Sequence, residues 1–130
     1  MRVTTLIIII AIIAAGLWYA NETGYFKKAE EAADSFEAHY SKGIKLYQQE
    51  QYEEAIKEFD AAVAANPTHE QAPNAERRRA DCTRELGKTD PEKIKEAIAL
   101  YEAWIEKYPD HKMAANTRTI LEKTRELGTF

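Results

Sequence analysis

Cysteine, glycine, proline and basic charge are all scarce in this sequence of 130 residues. A single cysteine excludes an internal disulfide framework and a cysteine-rich metal site. Five glycines and four prolines are too few for a fold of many strands joined by tight turns. Lysine and arginine number 18 against 22 aspartate and glutamate, so the sequence lacks the excess of basic charge that is typical of nucleic-acid-binding proteins. We therefore expect a helical protein that binds no nucleic acid.

Charge is almost absent from the N-terminal segment 1–20, where Arg2 is the only charged side chain. Residues 3–20 include nine isoleucine, leucine or valine residues. As a helix this stretch would be about 27 Å long, close to the ~30 Å thickness of a bilayer's hydrocarbon core. Its aliphatic side chains alone favour insertion by about 4–5 kcal/mol. Residues 1–20 are therefore predicted to form a transmembrane anchor that contacts the lipid bilayer through residues 3–20.

A cleaved signal peptide is the alternative for this segment, since residues 14–16 are small enough to form a cleavage site. The apolar run continues past that site to Tyr19, which favours an uncleaved anchor. The orientation is less determined, because Arg2 favours an N-terminus inside whereas Lys27 and Lys28 favour the opposite. The preferred interpretation is a single-pass protein of a bacterial inner membrane with its polar part in the periplasm. A secreted protein with a cleaved signal stays open.

The polar part contains an internal repeat whose second copy begins 42 positions after the first. Residues 52–69 (YEEAIKEFDAAVAANPTH) align without a gap to residues 94–111 (IKEAIALYEAWIEKYPDH). In both copies apolar residues recur at the spacing of a helix face, and both end at a proline that cannot continue a helix. Three more amphipathic stretches lie at 25–49, 75–86 and 113–127. The sequence therefore predicts an all-α unit of about five antiparallel helices.

Several residues predict where individual helices begin and end. Asp90 and Pro91 are suited to the N-cap and first position of the second copy. Pro73 is expected to delay the preceding helix until about Ala75, since a proline deep in a helix clashes with the previous turn. Gly87 is the expected C′ residue of that helix.

The first copy and the stretch before it resemble the tetratricopeptide repeat, a motif of about 34 residues. Small, aromatic and proline residues of the segment 36–69 fall at the positions where that family has them: Gly43, Tyr52, Ala55, Phe59, Ala62 and Pro67. The second copy keeps Ala97, Tyr101 and Pro109, but Trp104 replaces a small residue and the repeat is longer by eight positions. The packing of the second helix pair is therefore not predicted by the resemblance.

The turn at residues 108–111 is similar to the turns of loosened repeats in bacterial envelope proteins. The resemblance as a whole covers about residues 34–127. It implies that a membrane anchor (1–20) and a membrane-proximal helix or linker (21–34) precede a short repeat solenoid (35–130). Because two and a half repeats form a thin stack with exposed ends, we expect the domain to form a homo-oligomer or to dock on a larger membrane complex.

The resemblance also implies where a partner protein binds. Such repeats bind partners on the concave surface, which is lined by the first helix of each pair. On the first helix that surface comprises Glu37, Tyr40, Ile44 and Tyr47. Some family members hold a C-terminal carboxylate there with lysine and asparagine, but Tyr40 and Ile44 occupy two of those positions, so no such clamp is expected. The tyrosines suit an apolar or aromatic peptide. The alternative is that they pack against the first helix of the second pair or against the membrane-proximal helix.

The basic residues Arg77, Arg78 and Arg79 are consecutive, so they cannot share one face of a helix. Acidic residues within one turn favour local ion pairing, and a contact with an acidic partner is the alternative. We include Arg77 and Arg78 in the predicted partner-binding surface.

No catalytic, cofactor-binding or metal-binding motif is recognisable, so no catalytic residue, cofactor or metal ligand is predicted. His69 and His111 occupy the same position of the two repeat copies and are predicted to cap the helix that follows each of them. His39 stands apart from them. Cys82 is predicted to be a buried thiol, with an intermolecular disulfide as the alternative.

Two functions follow from these observations. The first is a non-enzymatic, membrane-anchored scaffold or accessory subunit that binds other proteins in a larger membrane or envelope complex. The second is a receptor or chaperone-like module that captures transient peptide clients. Stable co-purification with a subunit would distinguish the first from the salt-sensitive binding expected of the second.

Overall fold

The computed structural model describes residues 3–22, 24 and 34–129, and every regular element within them is an α-helix. This confirms the predicted all-helical class. The six helices are α1 (Val3–Glu22), α2 (Phe36–Gln48), α3 (Tyr52–Ala65), α4 (Ala72–Leu86), α5 (Pro91–Lys107) and α6 (Ala114–Leu127). The chain divides into two compact units, of which the first ends at Asp34 and the second begins at Ser35.

The helix of the first unit, α1, is continuous over 20 residues and has no buried side chain. At ~1.5 Å per residue its length is about 30 Å, the thickness of the hydrocarbon core of a membrane. Its large apolar side chains, from Val3 to Tyr19, are between 40% and 72% exposed. The helix is thus long and apolar enough to cross a membrane.

The second unit is a stack in which each helix packs against the next one along the chain, from α2 to α6. Helix α2 begins where the Ser35 hydroxyl accepts a hydrogen bond from the Ala38 amide at 3.2 Å. Helix α5 begins where the Asp90 carboxylate accepts one from the Glu92 amide at 3.1 Å, as its sequence predicts. These stacked helices are consistent with a solenoid similar to the tetratricopeptide repeat.

The buried faces of α3 and α5 follow the internal repeat position by position. Ala55, Phe59 and Ala62 of α3 are fully buried, and their counterparts in the second copy are also buried in α5, namely Ala97, Tyr101 and Trp104. The second helix pair therefore packs even though Trp104 replaces a small residue. Its indole N–H donates a hydrogen bond of 2.7 Å to the backbone oxygen of Pro73 in α4, which satisfies the polar atom of this buried ring.

Longer helices absorb most of the additional length of the second pair. Helices α4 and α5 have 15 and 17 residues, against 13 and 14 in α2 and α3. The predicted start of α4 at Ala75 is wrong, because the helix begins at Ala72. Pro73 lies within the first turn, where the absent N–H has no partner to lose and the fixed φ angle is already helical.

Two other details of the helix ends differ from the predictions. Gly87 is the C-cap of α4 with φ −64° rather than a left-handed C′ residue. A side chain at Gly87 would collide with Ile94, so the glycine is required for close packing instead. The amphipathic stretch predicted at residues 25–49 is observed as a helix from Phe36, and residues 25–33 lie outside the described residues.

The C-terminal end of the stack has a polar surface. Along α6 the side chains of Arg118, Glu122 and Glu126 are exposed, and Leu127 is the one exposed large apolar residue described between residues 34 and 129. A polar outer face is how a terminal repeat keeps a solenoid soluble. The apolar end surface on which we based the expectation of self-association is therefore not observed at α6, and oligomerisation stays a prediction.

Candidate functional site

The first helices of successive pairs, α2 and α4, and the final helix α6 together line a concavity of about 100 Å³, here called the inner groove. Its lining residues are Tyr40 of α2, Asn74, Arg77 and Arg78 of α4, and Met113 at the N-terminus of α6. Asn74 lies 34 positions after Tyr40, the length of the first repeat, and Asn116 lies 42 positions after Asn74, the offset between the two copies. The three residues therefore occupy equivalent positions in successive repeats. The repeat spacing thus brings side chains of three distant segments together.

Three of the six predicted partner-binding residues, Tyr40, Arg77 and Arg78, line the inner groove. Tyr47 lies beside it, with the Arg78 guanidinium 5.5 Å from its ring centroid. Glu37 lies near the start of α2 and is bound to His69 at 2.9 Å. Ile44 packs against the core cluster around Phe59 instead.

Both predicted tyrosines have packing roles inside the stack. The Tyr40 ring centroid is 5.6 Å from that of Phe36 and 5.8 Å from that of Phe59. The Tyr47 ring meets Tyr52 edge-on at 5.6 Å. These ring contacts lie within the first helix pair, whereas the stated alternative was packing against α4 or the membrane-proximal helix. Tyr47 does contact Arg78 of α4, and residues 25–33 lie outside the described residues. Tyr40 combines its packing with a position in the groove.

A buried carboxylate, Asp81 of α4, organises the arginines. Its side chain is 4% exposed and its Oδ1 accepts a hydrogen bond of 2.6 Å from the Tyr101 hydroxyl of α5. Its Oδ2 lies 3.7 Å from Nε of Arg77 and 3.8 Å from Nη1 of Arg78. Burial and the Asp81 charge raise the pKa of Tyr101, so this hydroxyl remains a donor.

The predicted local ion pairing of the arginines is thus present in the structure. Arg79 points elsewhere and pairs with Asp60 of α3 at 3.3 Å. Two guanidinium groups share the single carboxylate of Asp81, so the inner groove keeps an excess of positive charge in a protein of net negative charge. Arg77 also donates to Oδ1 of Asn116 at 2.8 Å, which fixes its position.

Asn74 leaves the inner groove with an unused acceptor. Its Oδ1 is buried, and among the side-chain atoms of the described residues it is the one buried oxygen or nitrogen with no hydrogen-bond partner. Leaving such an acceptor unpaired costs about 1–3 kcal/mol, so a feature of this kind in a folded protein requires an explanation.

A larger concavity of about 470 Å³, here called the outer groove, lies between α3 and α5. Its floor includes Val63, Leu100 and Trp104. The charged residues at its rim are already paired within the chain, Arg79 with Asp60 at 3.3 Å and Lys107 with Glu76 at 2.7 Å. Size alone therefore favours the outer groove, whereas unsatisfied polar chemistry favours the inner groove.

The histidines have structural partners, and two of them bind a backbone amide in the turn before the next helix, although neither helix has a side-chain cap hydrogen bond at its N-cap residue. Nδ1 of His69 accepts a hydrogen bond from the Gln71 amide at 3.0 Å, and Nδ1 of His111 accepts one from the Met113 amide at 3.2 Å. Nδ1 of His39 instead lies 2.6 Å from a carboxylate oxygen of Glu58. Within the described residues no group of three or more His, Cys, Asp or Glu side chains is arranged to hold a metal ion.

The thiol of Cys82 is fully buried in the core cluster of α2, α3 and α4. Burial, reinforced by the negative charge of Asp81, raises the pKa of this thiol to about 12. A thiol with these properties is chemically inert, as the prediction of a buried structural cysteine requires.

Comparison with known protein families finds a match in the first helix pair. Residues 36–69 match the family model of the tetratricopeptide repeat. The matched repeat is α2 with α3 and the turn that follows, and it begins at Phe36 as the sequence spacing predicts. A comparison with curated proteins finds no significant match to this chain. Repeats of this family are in general protein-interaction modules rather than catalytic ones.

Sequence reasoning missed the two groups that define the chemistry of the groove. Asn74 was not among the predicted residues, although its offsets from Tyr40 and Asn116 match the two repeat spacings and place it on the same face. The Asp81–Tyr101 bond was also missed, because the spacing of one repeat does not show which side chains meet between helices. An aspartate adjacent to the apolar Cys82 was the available signal, since a carboxylate on a buried face requires a partner.

Proposed function

We propose that this chain is a membrane-anchored scaffold, in which α1 spans the bilayer and the helical stack holds a segment of a partner protein in the inner groove. The observation that carries the proposal is the unpartnered acceptor of Asn74 beside Arg77 and Arg78. A peptide backbone N–H would satisfy the acceptor, and an acidic or polar side chain would complement the excess positive charge. The partner is a subunit of a larger membrane or envelope complex.

We place α1 in a bacterial inner membrane as an uncleaved anchor, with the stack in the periplasm. The nine isoleucine, leucine and valine residues of α1 favour insertion into the bilayer by about 4–5 kcal/mol. Arg2 precedes the apolar run, and a positive charge at this end favours a cytoplasmic N-terminus. The intact mass of the membrane-extracted chain distinguishes an anchor from a cleaved signal, because cleavage would remove α1.

The test of the groove is Asn74→Leu, a substitution of similar volume without the acceptor. Because it removes an unpaired buried polar group, the free energy of unfolding should stay unchanged or rise. Binding of a partner that uses this acceptor should weaken by about 1–3 kcal/mol, or roughly 5- to 150-fold. The measurements are thermal unfolding and the yield of crosslinked partner from a photo-reactive residue placed at Tyr40 in native membranes.

Asn116→Leu is the matched control, since it changes the same residue type at the same repeat position. The Asn116 oxygen already accepts from Arg77, so its loss should destabilise the stack. Crosslinks that persist undiminished in Asn74→Leu would contradict the proposed groove. A stoichiometric adduct that resists salt indicates a complex subunit, whereas many salt-sensitive adducts indicate the receptor-like alternative.

A further inference from the structure

In each of the two turns that join successive helix pairs, a histidine ring accepts a backbone hydrogen bond in addition to the backbone bonds of the turn. In both turns a backbone N–H, of Gln71 or of Met113, points at Nδ1 of the ring two positions earlier, at 3.0 Å and 3.2 Å. A backbone N–H can only donate, so Nδ1 is the acceptor and carries no hydrogen. The neutral rings of His69 and His111 therefore have their hydrogen on Nε2, and a ring that takes up a second proton loses the bond.

We propose that His111 is a pH-sensitive latch on the turn between α5 and α6, which opens when its ring takes up a proton. Histidine changes charge between about pH 5 and pH 8, within the range that an exported protein meets. A protonated Nδ1 turns an acceptor into a donor that faces the Met113 N–H. The hydrogen bond before α6 is then replaced by a repulsive contact.

The surroundings of His111 offer the protonated ring little compensation. The rings of Trp104 and Tyr108 are inclined to it by 84° and 63°, at centroid distances of 5.4 Å and 6.3 Å. Within the described part of the chain, no carboxylate is hydrogen-bonded or ion-paired with this ring. Met113 is also the N-cap of α6, and the positive end of a helix dipole disfavours a cation.

The charged side chains on the helices and turn around His111 either bind other partners or belong to its neighbours in the chain. Lys107 of α5 has its ammonium 5.1 Å from the Tyr108 ring centroid and pairs with Glu76 of α4. Arg118 of α6 donates to the backbone oxygen of Pro109 at 3.3 Å. Asp110 and Lys112 precede and follow His111 in the chain, and their opposite charges have opposing effects on a protonated ring.

The other two histidines differ in ways that serve as internal comparisons. Nε2 of His69 donates to Glu37 at 2.9 Å, and its ring stacks on Phe36 at 3.9 Å, so protonation would strengthen an ion pair while it breaks the cap. Glu70 is its charged chain neighbour. His39 donates from Nδ1 to the Glu58 carboxylate, an arrangement that a second proton preserves. Of the three histidines, only His111 therefore loses a hydrogen bond on protonation without strengthening an ion pair to a carboxylate.

Opening this turn would change the wall of the inner groove, whether or not a partner is bound. The residue that His111 holds, Met113, lines the groove, and its sulfur is 3.7 Å from Nη1 of Arg77. Arg77 in turn is bound to Asn116 of α6. Loss of the bond to the Met113 N–H therefore weakens one of the contacts that hold the α6 wall, while the Met113 oxygen stays bound to Thr117. This effect is independent of the proposed scaffold function.

Hydrogen exchange of single amides in the full-length chain, held in detergent micelles, tests the latch. Between about pH 7.5 and about pH 5, the protection factor of the Met113 amide, corrected for intrinsic exchange, should fall about fivefold or more, as expected for one net hydrogen bond. The Ala38 amide is the control, since it is capped by the Ser35 hydroxyl, which does not titrate. Equal Met113 protection at both pH values would overturn the proposal.

Two variants assign the effect to the ring. His111→Asn keeps a side-chain acceptor for the N–H two positions on but cannot titrate, so Met113 protection should no longer depend on pH. His111→Ala should show low Met113 protection at both pH values while the middle of α6 stays protected. A fall in His111→Asn as large as that in the parent would show that another group is responsible. If the alanine variant does not fold, the parent and the asparagine variant still decide the question.

Discussion

Gly43 sets the distance between α2 and α3, and adding one methyl group there gives a measurable prediction. A Cβ built on Gly43 would lie 2.8 Å from Cε1 and 2.9 Å from Cδ1 of the Phe59 ring. Carbon atoms in favourable contact are separated by about 3.5–4.0 Å, so ring or backbone must move by roughly 0.7 Å. Phe59 is fully buried, which leaves its ring no open space to enter.

The expected loss of stability for Gly43→Ala follows from two opposing terms. Overpacking of a core costs about 1–3 kcal/mol. The greater helix propensity of alanine returns about 0.5–1 kcal/mol. The middle of each range leaves a net loss of about 1 kcal/mol, which corresponds to a fall in melting temperature of roughly 4–8 °C for a unit of this size. Gly43→Leu, which adds three further carbons, should cost more.

Thermal unfolding followed by circular dichroism measures this prediction in the full-length chain in micelles. Gly16→Ala is the control, because a Cβ there meets no atom within 4 Å. Gly43→Ala combined with Phe59→Leu should lose less than the sum of the two single losses, because the smaller side chain makes room for the methyl group. A Gly43→Ala variant that melts at or above the parent temperature would refute the close approach.

Two further predictions concern buried polar groups of α4. Tyr101→Phe removes the hydroxyl that donates to Asp81 at 2.6 Å, so the free energy of unfolding should fall by about 1–3 kcal/mol in denaturant titration, and equal stability would contradict the assigned bond. Cys82, fully buried with its thiol pKa raised to about 12, should resist alkylation at about pH 8 until the stack unfolds, whereas rapid labelling or a disulfide-linked dimer would exclude the buried thiol.

The existence and order of the helices could be predicted because they depend on local patterns. Apolar spacing, the prolines at the helix ends and the Asp90 N-cap all act over short distances along the chain. The start of α4 was misplaced because a proline is tolerated in the first turn of a helix and disrupts the helix only at later positions. The sequence alone does not show that Pro73 lies in the first turn. In the turn between α2 and α3, Glu50 adopts the left-handed conformation with φ 60°. A glycine at this position would have indicated such a conformation, but a glutamate does not.

The positions of the predicted partner-binding residues depend on how helices from different repeats face one another. The family spacing correctly placed Tyr40 towards the concavity, and it gave no means to tell that Ile44 packs into the core. Consecutive arginines were expected to diverge, and they do, since Arg79 pairs with α3 while Arg77 and Arg78 share Asp81. Which carboxylate each one reaches is a property of packing between helices, which no local pattern encodes.

The two grooves of the stack differ in what they leave unsatisfied, and that difference is our reason for proposing the inner groove. In the outer groove the rim charges are paired and the floor is apolar, so nothing there requires a further partner to complete its hydrogen bonds. In the inner groove one buried acceptor is unpaired and two guanidinium groups share one carboxylate. Folded proteins tolerate such local deficits mainly where function requires them. A partner segment that donates to Asn74 and presents negative charge to Arg78 would correct both deficits at once, and no such gain is available in the larger outer groove.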